Sequence, residues 1–236
     1  MADGPRKGAR ETMMPLQNRV DPFGAIHAVP ARGLLTGNRG ILHDPDTKML
    51  LRRRWTTRAW IVCACAFRGR RREPMGRNAP GGGPGWTELF FLDEVTALAA
   101  GHRPCFFCRR ADATGFARAI AAGLGRETIT APEMDAILHA QRLASAPHAP
   151  RSPVADPATL PDAAMVATGD RAFAIRDGRL LPWSFDGYGA ALPPAAVPDL
   201  AALRLLTPPA TAAALAAGYA PVWHETASRA AARSRP

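Results

Sequence analysis

The chain has 236 residues, 47% of them hydrophobic, enough to bury one substantial core and a second small one. It carries a formal net charge of +10 and only four cysteines, too few for a disulfide scaffold at this length. No run of about 18 apolar residues occurs, and the opening stretch "MADGPRKGARETMMPLQNRV" lacks the apolar core of a secretory signal, so the composition argues against a membrane helix or a disulfide-knit secreted domain and predicts a soluble cytoplasmic protein.

The charge is uneven along the chain. Residues 1 to 80 hold sixteen Lys and Arg against six Asp and Glu, whereas residues 81 to 236 hold fourteen of each. A basic region set apart in this way is the electrostatic footprint of a phosphate-backbone binder. Twenty-eight of the thirty basic residues are Arg, a bias that a GC-rich genome also produces.

In chain order, residues 1 to 13 read as a disordered tail, and "MPLQNRVDPFGAI" from Met14 reads as the start of a domain. "GLLTGNRGILHDPDTKMLLRRRW" has Gly-Asn and Asp-Pro-Asp-Thr punctuation between short apolar pieces and predicts a hairpin. "RAWIVCACAF", Arg58 to Phe67, predicts a strand, in which Cys63 and Cys65 share one face. "RGRRREPMGRNAPGGGPG" follows as a charged, Gly/Pro-rich loop with no core-forming pattern. In "WTELFFLDEVTALAAGHRP", "ELFFL" suits a strand, Asp93 caps a helix over "EVTALAA", and Gly101 sits where the helix C-terminus wants positive φ. A second helix follows the C-x-x-C of Cys105 and Cys108, over "RRADATGFARAIAAGLG". Residues 144 to 161 are Pro/Ala-rich and predict a linker. Beyond them, "FAIRDGRLLPW" predicts a strand, an Asp-Gly turn and a strand, and "LTPPATAAALAAGYAPVWH" a helix that starts on prolines and stops at Gly218. "ALAAGYAP" echoes the earlier "ALAAGHRP" as a second helix stop.

The cysteines admit several readings. Zinc takes four soft or borderline ligands at tetrahedral corners, and Cys63, Cys65, Cys105 and Cys108 would supply four. Cys105 and Cys108 with one strand cysteine and a histidine, His102 or His43, is a second ligand set. Cys63 and Cys65 also fit as small hydrophobes of a buried strand with no metal. A redox dithiol at Cys105 and Cys108 would want a strand before it and a helix N-terminus after it. His43, Asp44 and Asp46 in "LHDPD" offer hard ligands for a metal-dependent nuclease or other DNA-processing enzyme, or an ordinary turn.

"FFLDEVTALAAGHRPCFFCRR", Phe90 to Arg110, within a matching stretch of about residues 86 to 110, resembles the second half of the zinc-binding module of Ada-type bacterial DNA repair proteins. That resemblance implies a four-cysteine zinc site beside a DNA backbone, with Cys105 and Cys108 as its second pair, and a role in DNA repair or the damage response. In that family a zinc-bound cysteine of the first pair accepts a methyl group from a phosphotriester. Here the first pair, Cys63 and Cys65, is C-x-C within a strand, which departs from the pattern.

The sequence therefore predicts an α+β fold, with a zinc-bearing basic domain over residues 14 to 143, a linker over 144 to 161 and a small hairpin-helix unit over 162 to 236. Zn2+ is the expected cofactor and nucleic acid, DNA ahead of RNA, the expected partner. The candidate phosphate contacts are Arg52, Arg53, Arg54, Arg58, Arg68, Arg70, Arg71, Arg72, Arg103, Arg109 and Arg110. Trp55 and Trp60 are candidates for base stacking or for the core.

Overall fold

A computed structural model describes residues 14–144, 152–197 and 199–232. The fold is mixed α+β, with two sheets and five helices among these residues. The predicted tail over residues 1–13 lies outside them, as does most of the first half of the predicted linker.

The first sheet is built from β1 (Gln17–Val20), β2 (Ile26–Ala28), β3 (Leu35–Asn38), β4 (Ile61–Ala64), β5 (Leu89–Phe91) and β6 (Arg103–Pro104), in the order β2-β1-β5-β3-β4-β6. Its pairs are antiparallel except β1 with β5 and β4 with β6. The "GLLTGNRGILHDPDTKMLLRRRW" stretch is not one hairpin: β3 pairs with β4 and β5, and a small turn over residues 44–48 closes a separate bridge between His43 and Leu50. β3 has four residues, so β4 finds a partner over only four of the ten predicted strand positions, Leu35 opposite Ala64 being the last.

Asp93 caps α1 (Glu94–Ala99) by accepting from the Thr96 N–H at 2.9 Å, and Gly101 stops it at φ +82°. A side chain at Gly101 would be strained by that φ and would also meet the Arg142 stem at 2.7 Å. Pro104 then carries β6 to the C-x-x-C, and α2 (Arg110–Gly123) follows, with α3 (Ala131–Ala144) after it. The second sheet is antiparallel, from β7 (Met165–Thr168), β8 (Arg171–Arg176), β9 (Arg179–Ser184), β10 (Gly187–Tyr188) and β11 (Arg204–Leu205). The Asp-Gly hairpin is present, with Asp177 at φ 50° and Gly178 at φ 68°, the positive values a two-residue turn of this kind demands. The helices α4 (Pro209–Ala216) and α5 (Thr226–Ala232) are the last elements of the described residues.

One part of the core draws on residues from both of the predicted units. One apolar cluster joins Leu98, Phe116, Ile120, Met134 and Leu138 of the helices to Met165, Phe173, Ile175 and Leu181 of the second sheet. The described part of the predicted linker is also tied down, with Val154 buried and its N–H on the Leu203 carbonyl at 3.0 Å. Alternating proline and alanine has no periodicity to announce such pairing, which depends on a partner strand fifty residues away. A smaller cluster, with Val20, Val62, Leu89 and Phe91, lies under the first sheet and holds the strands that carry the candidate site.

Candidate metal centre

Cys63 sits opposite Thr36 in the β3–β4 ladder and is buried. The parallel pairing of β6 with β4 brings the C-x-x-C alongside: the Cys105 N–H donates to the Val62 carbonyl at 3.0 Å. The turn then closes on itself, with the Arg109 N–H on the Cys105 carbonyl at 3.0 Å and the Phe107 N–H on Cys105 Sγ at 3.4 Å. As a result Sγ of Cys63, Cys105 and Cys108 all lie within 4.8 Å of one another. They are a donor set able to hold a metal ion, and no other group of three or more His, Cys, Asp or Glu ligand atoms converges in this way among the described residues.

Cys65 stands apart from the three. The strand ends at Ala64, so the alternation that would have kept Cys63 and Cys65 on one face stops before Cys65, which is exposed and donates to the Leu34 carbonyl at 3.4 Å. It nonetheless lines the same cavity, about 310 Å³, whose walls include the other three cysteines, Trp86 and Glu88.

The thiols perturb one another strongly. A hydrogen bond from Cys63 and N–H donors from Phe107 and Cys108 bring Cys105 down to about 5, against the cost of its burial. The same contact with Cys105, followed by burial, pushes Cys63 up, and burial pushes Cys108 up, opposed by a backbone hydrogen bond from Ala64. Without a cation the pocket accommodates one thiolate at the expense of its neighbours; a soft divalent cation removes that conflict, since thiolate is the ligand form.

The candidate arginines divide into two groups. Arg52, Arg53, Arg54, Arg58, Arg68, Arg70, Arg71 and Arg110 are exposed. Arg103 is buried in a two-pronged pair with Asp135, both contacts at 2.8 Å. Arg109 is buried against Glu94 at 2.7 Å and Asp112 at 2.9 Å, and Arg72 pairs with Glu88 at 2.6 Å while lying over Trp86. These three serve the fold, and phosphate contact is not what their geometry provides. Beside the thiols, the exposed ring of Phe107 packs edge-on against Phe67 at 5.2 Å, with Arg68 and Arg70 over the pair.

The other candidates are dispersed. His43 is buried with Nδ1 on Thr87 Oγ1 at 2.7 Å; Asp44 accepts from the Asp46 and Thr47 N–H groups of its own turn; and Asp46 takes two contacts from Arg77 Nη2, each at 2.7 Å. His102 is buried with Nε2 facing Arg39 Nε at 3.3 Å, far from any role as a reserve ligand. Trp55 is partly exposed and edge-packed on His139, whereas Trp60 is buried between rings and guanidinium groups. Sequence reasoning does not reach Arg39 and Arg142: "GNRG" reads as a turn and Arg142 as the end of an unremarked helix, and nothing local signals that both enclose Trp60.

No helix among the described residues is long and apolar enough to cross a membrane. Comparison with family models, with curated proteins and with solved structures gives no match.

Proposed function

We propose that this chain is a zinc-dependent nucleic-acid-binding protein, acting on DNA ahead of RNA and serving DNA repair or the damage response. The observation that carries the reading is the convergence of Cys63, Cys105 and Cys108 within 4.8 Å, from two chain segments about forty residues apart. Thiolates at this separation suit zinc by softness and by number. Cys65 is the fourth ligand in this reading, as the resemblance of Phe90 to Arg110 to the Ada-type module implies, and it lines the same cavity. Such a site is structural: it clamps the end of β4 to the turn before α2, and the binding energy of the metal becomes folding energy.

Support for the nucleic-acid part comes from charge. Exposed Arg68 and Arg70 lie over the Phe67 and Phe107 rings beside the thiol cluster, and Arg71, Arg52, Arg53 and Arg54 are further exposed cations. Guanidinium groups beside an exposed ring suit phosphate contact and base stacking together. The experiment has two measurements. Protein purified without chelator should hold about one equivalent of zinc, and its retention of duplex DNA should weaken with a log-log salt slope near −0.9 per phosphate neutralised. Zinc near zero overturns the metal reading; no retention of DNA or RNA at about 50 mM salt overturns the nucleic-acid reading.

A thiol redox role has one observation in its favour. The C-x-x-C lies between β6 and the start of α2, and Cys105 is held down to about 5, as a reactive dithiol requires. Slow alkylation of Cys105 and Cys108 until metal is removed separates the two readings, because a free dithiol reacts at once.

A further inference from the structure

A second cavity, about 950 Å³, opens away from the thiols, and its walls include Arg39, Arg54, Arg142, Trp55, Trp60 and Gly24. Arg39 is the unusual member. Its side chain is essentially inaccessible, with 1% exposure for the residue. Nη1 donates to the Gly24 carbonyl at 2.8 Å and Nε faces His102 Nε2 at 3.3 Å, while Nη2 has no hydrogen-bond partner among the described residues. No carboxylate among the described residues forms an ion pair with it. Asp21 is the carboxylate nearest in effect, but its oxygens are taken by the Ala25 N–H at 2.9 Å and by His27 Nε2 at 2.7 Å.

The surroundings deepen the imbalance. Arg142 and Arg39 lie over the same Trp60 ring, at 4.4 and 4.0 Å from its centroid, and Arg142 donates only to the Gly101 and Arg58 carbonyls, with Nε unpartnered among the described residues. Burial, with Arg142 beside it, brings Arg39 down to about 9, and burial brings Arg142 down to about 10. Arg54 adds a third cation at the cavity, opposed by Asp21 and by Asp170 on its wall. A buried cation with no ion pair costs stability, so a fold that holds Arg39 this way, with the half-buried Arg142 on the same tryptophan and only the Asp135 charge in its favour, is organised for an anion that completes them.

We infer that this cavity binds a phosphate monoester of a small, mononucleotide-sized molecule, its phosphate held by Arg142 and Arg54 with the buried charge of Arg39 behind them and its ring against Trp55. Three guanidinium groups match a dianion better than a single carboxylate. The volume falls within the range of small-molecule sites, and the half-exposed Trp55, edge-packed on His139 at 4.7 Å, gives a flat apolar wall for a heterocycle. The inference is independent of the zinc reading, which uses other residues; with the nucleic-acid reading it shares Arg54 and Trp55.

The test is titration of the full-length protein with adenosine monophosphate and with inorganic phosphate, read by tryptophan fluorescence, since Trp60 lies between the cations concerned. Saturable quenching is expected with both, and Arg39→Met and Arg142→Met should each weaken it at least ten-fold, while Arg118→Gln, at an exposed position of α2 outside the cavity, leaves it unchanged. Should Arg39→Met fail to fold by circular dichroism, Arg142→Met and Arg54→Gln carry the comparison. The inference is overturned if neither ligand quenches saturably up to about 10 mM, or if the Arg142 and Arg54 variants bind as the wild type does. An oligonucleotide bound equally by wild type and Arg142→Met, with no response to adenosine monophosphate, also overturns it.

Discussion

Arg109 Nη2 donates to a Glu94 carboxylate oxygen at 2.7 Å, with the two side chains 5% and 1% exposed. Glu94 also accepts from the Tyr219 hydroxyl at 2.7 Å and the Val222 N–H at 2.9 Å. The residue that follows Cys108 is thereby pinned, through one buried carboxylate, to the C-terminal segment. Burial alone would lower the Arg109 guanidinium, but Glu94 and Asp112 carry it up; burial and the same Glu94 charge push the Tyr219 phenol up. Asp93, one residue earlier, ties the same regions together, accepting from the Tyr188 hydroxyl at 2.9 Å and the His224 N–H at 3.0 Å.

Removing the Glu94 charge should therefore be severe. Glu94→Gln leaves Arg109 buried with only the half-exposed Asp112, and should cost about 3 to 5 kcal/mol of unfolding free energy. The double variant Glu94→Gln, Arg109→Gln should cost less than the sum of the singles by about 1 kcal/mol or more, because the two share one interaction. Urea unfolding followed by circular dichroism measures both, and additive costs would mean that the pair is not coupled.

The cysteines should separate by position. Cys63→Ser, Cys105→Ser and Cys108→Ser should each reduce bound zinc well below one equivalent and lower the melting temperature together with it. Cys65→Ser should keep zinc at a reduced affinity, because its thiol must leave the Leu34 carbonyl to reach the others. Metal analysis of the four variants after dialysis against a competing chelator is the measurement. Zinc retained in full by Cys63→Ser would sink the assignment of the strand cysteine.

Acid should destabilise the protein through His102. Burial first, then the charges of Arg39 and Arg142, hold its imidazole well below the ordinary histidine value, so it folds neutral. The unfolded chain takes up a proton near pH 6.5 that the folded chain refuses, so stability is complete above that value and falls as pH drops below it. The slope for one proton is about 1.4 kcal/mol per pH unit. His102→Gln, a neutral acceptor toward Arg39, should flatten that limb between about pH 6.5 and 5; unfolding curves at half-unit intervals would show whether it does.

The arginines should divide between binding and stability. Charge removal at Arg68, Arg70 and Arg71 together should flatten the salt dependence of DNA retention by about one unit for each phosphate no longer neutralised, with unfolding free energy changed by less than about 0.5 kcal/mol each. Arg103→Gln should do the reverse, since it strips the largely buried Asp135 of both of its guanidinium hydrogen bonds, and should cost about 2 to 4 kcal/mol. Parallel filter binding and urea unfolding distinguish the two sets. Equal effects on binding from Arg103 and from the exposed trio would contradict the division.

Where a feature depends on a few neighbouring residues, the sequence sufficed to read it. The Asp93 cap, the Gly101 stop, the helix after the C-x-x-C, the Asp177-Gly178 turn and the helix that opens on prolines all follow from backbone preferences acting within one turn of chain. The α+β character and the pairing of a strand cysteine with Cys105 and Cys108 were legible for the same reason, since few other sulfur ligands exist. The helix α3 and the short strands β1, β2, β7, β10 and β11 do not announce themselves, because weak periods and two- to four-residue strands carry little local signal.

The tertiary structure decided which residues meet. Cys63 joined the cluster and Cys65 did not, because β3 offers β4 no partner beyond Leu35 and the strand stops one residue too soon. Arg72, Arg103 and Arg109 look in sequence like the other arginines, yet each found a carboxylate 15 to 32 positions away and became part of the fold. Arg39 and Arg142, about a hundred residues apart, were brought onto one tryptophan, and neither forms an ion pair with a carboxylate among the described residues. Charge and sulfur are written in the sequence, but their partners are set by strand register and helix docking across long separations, where no local preference of the chain acts.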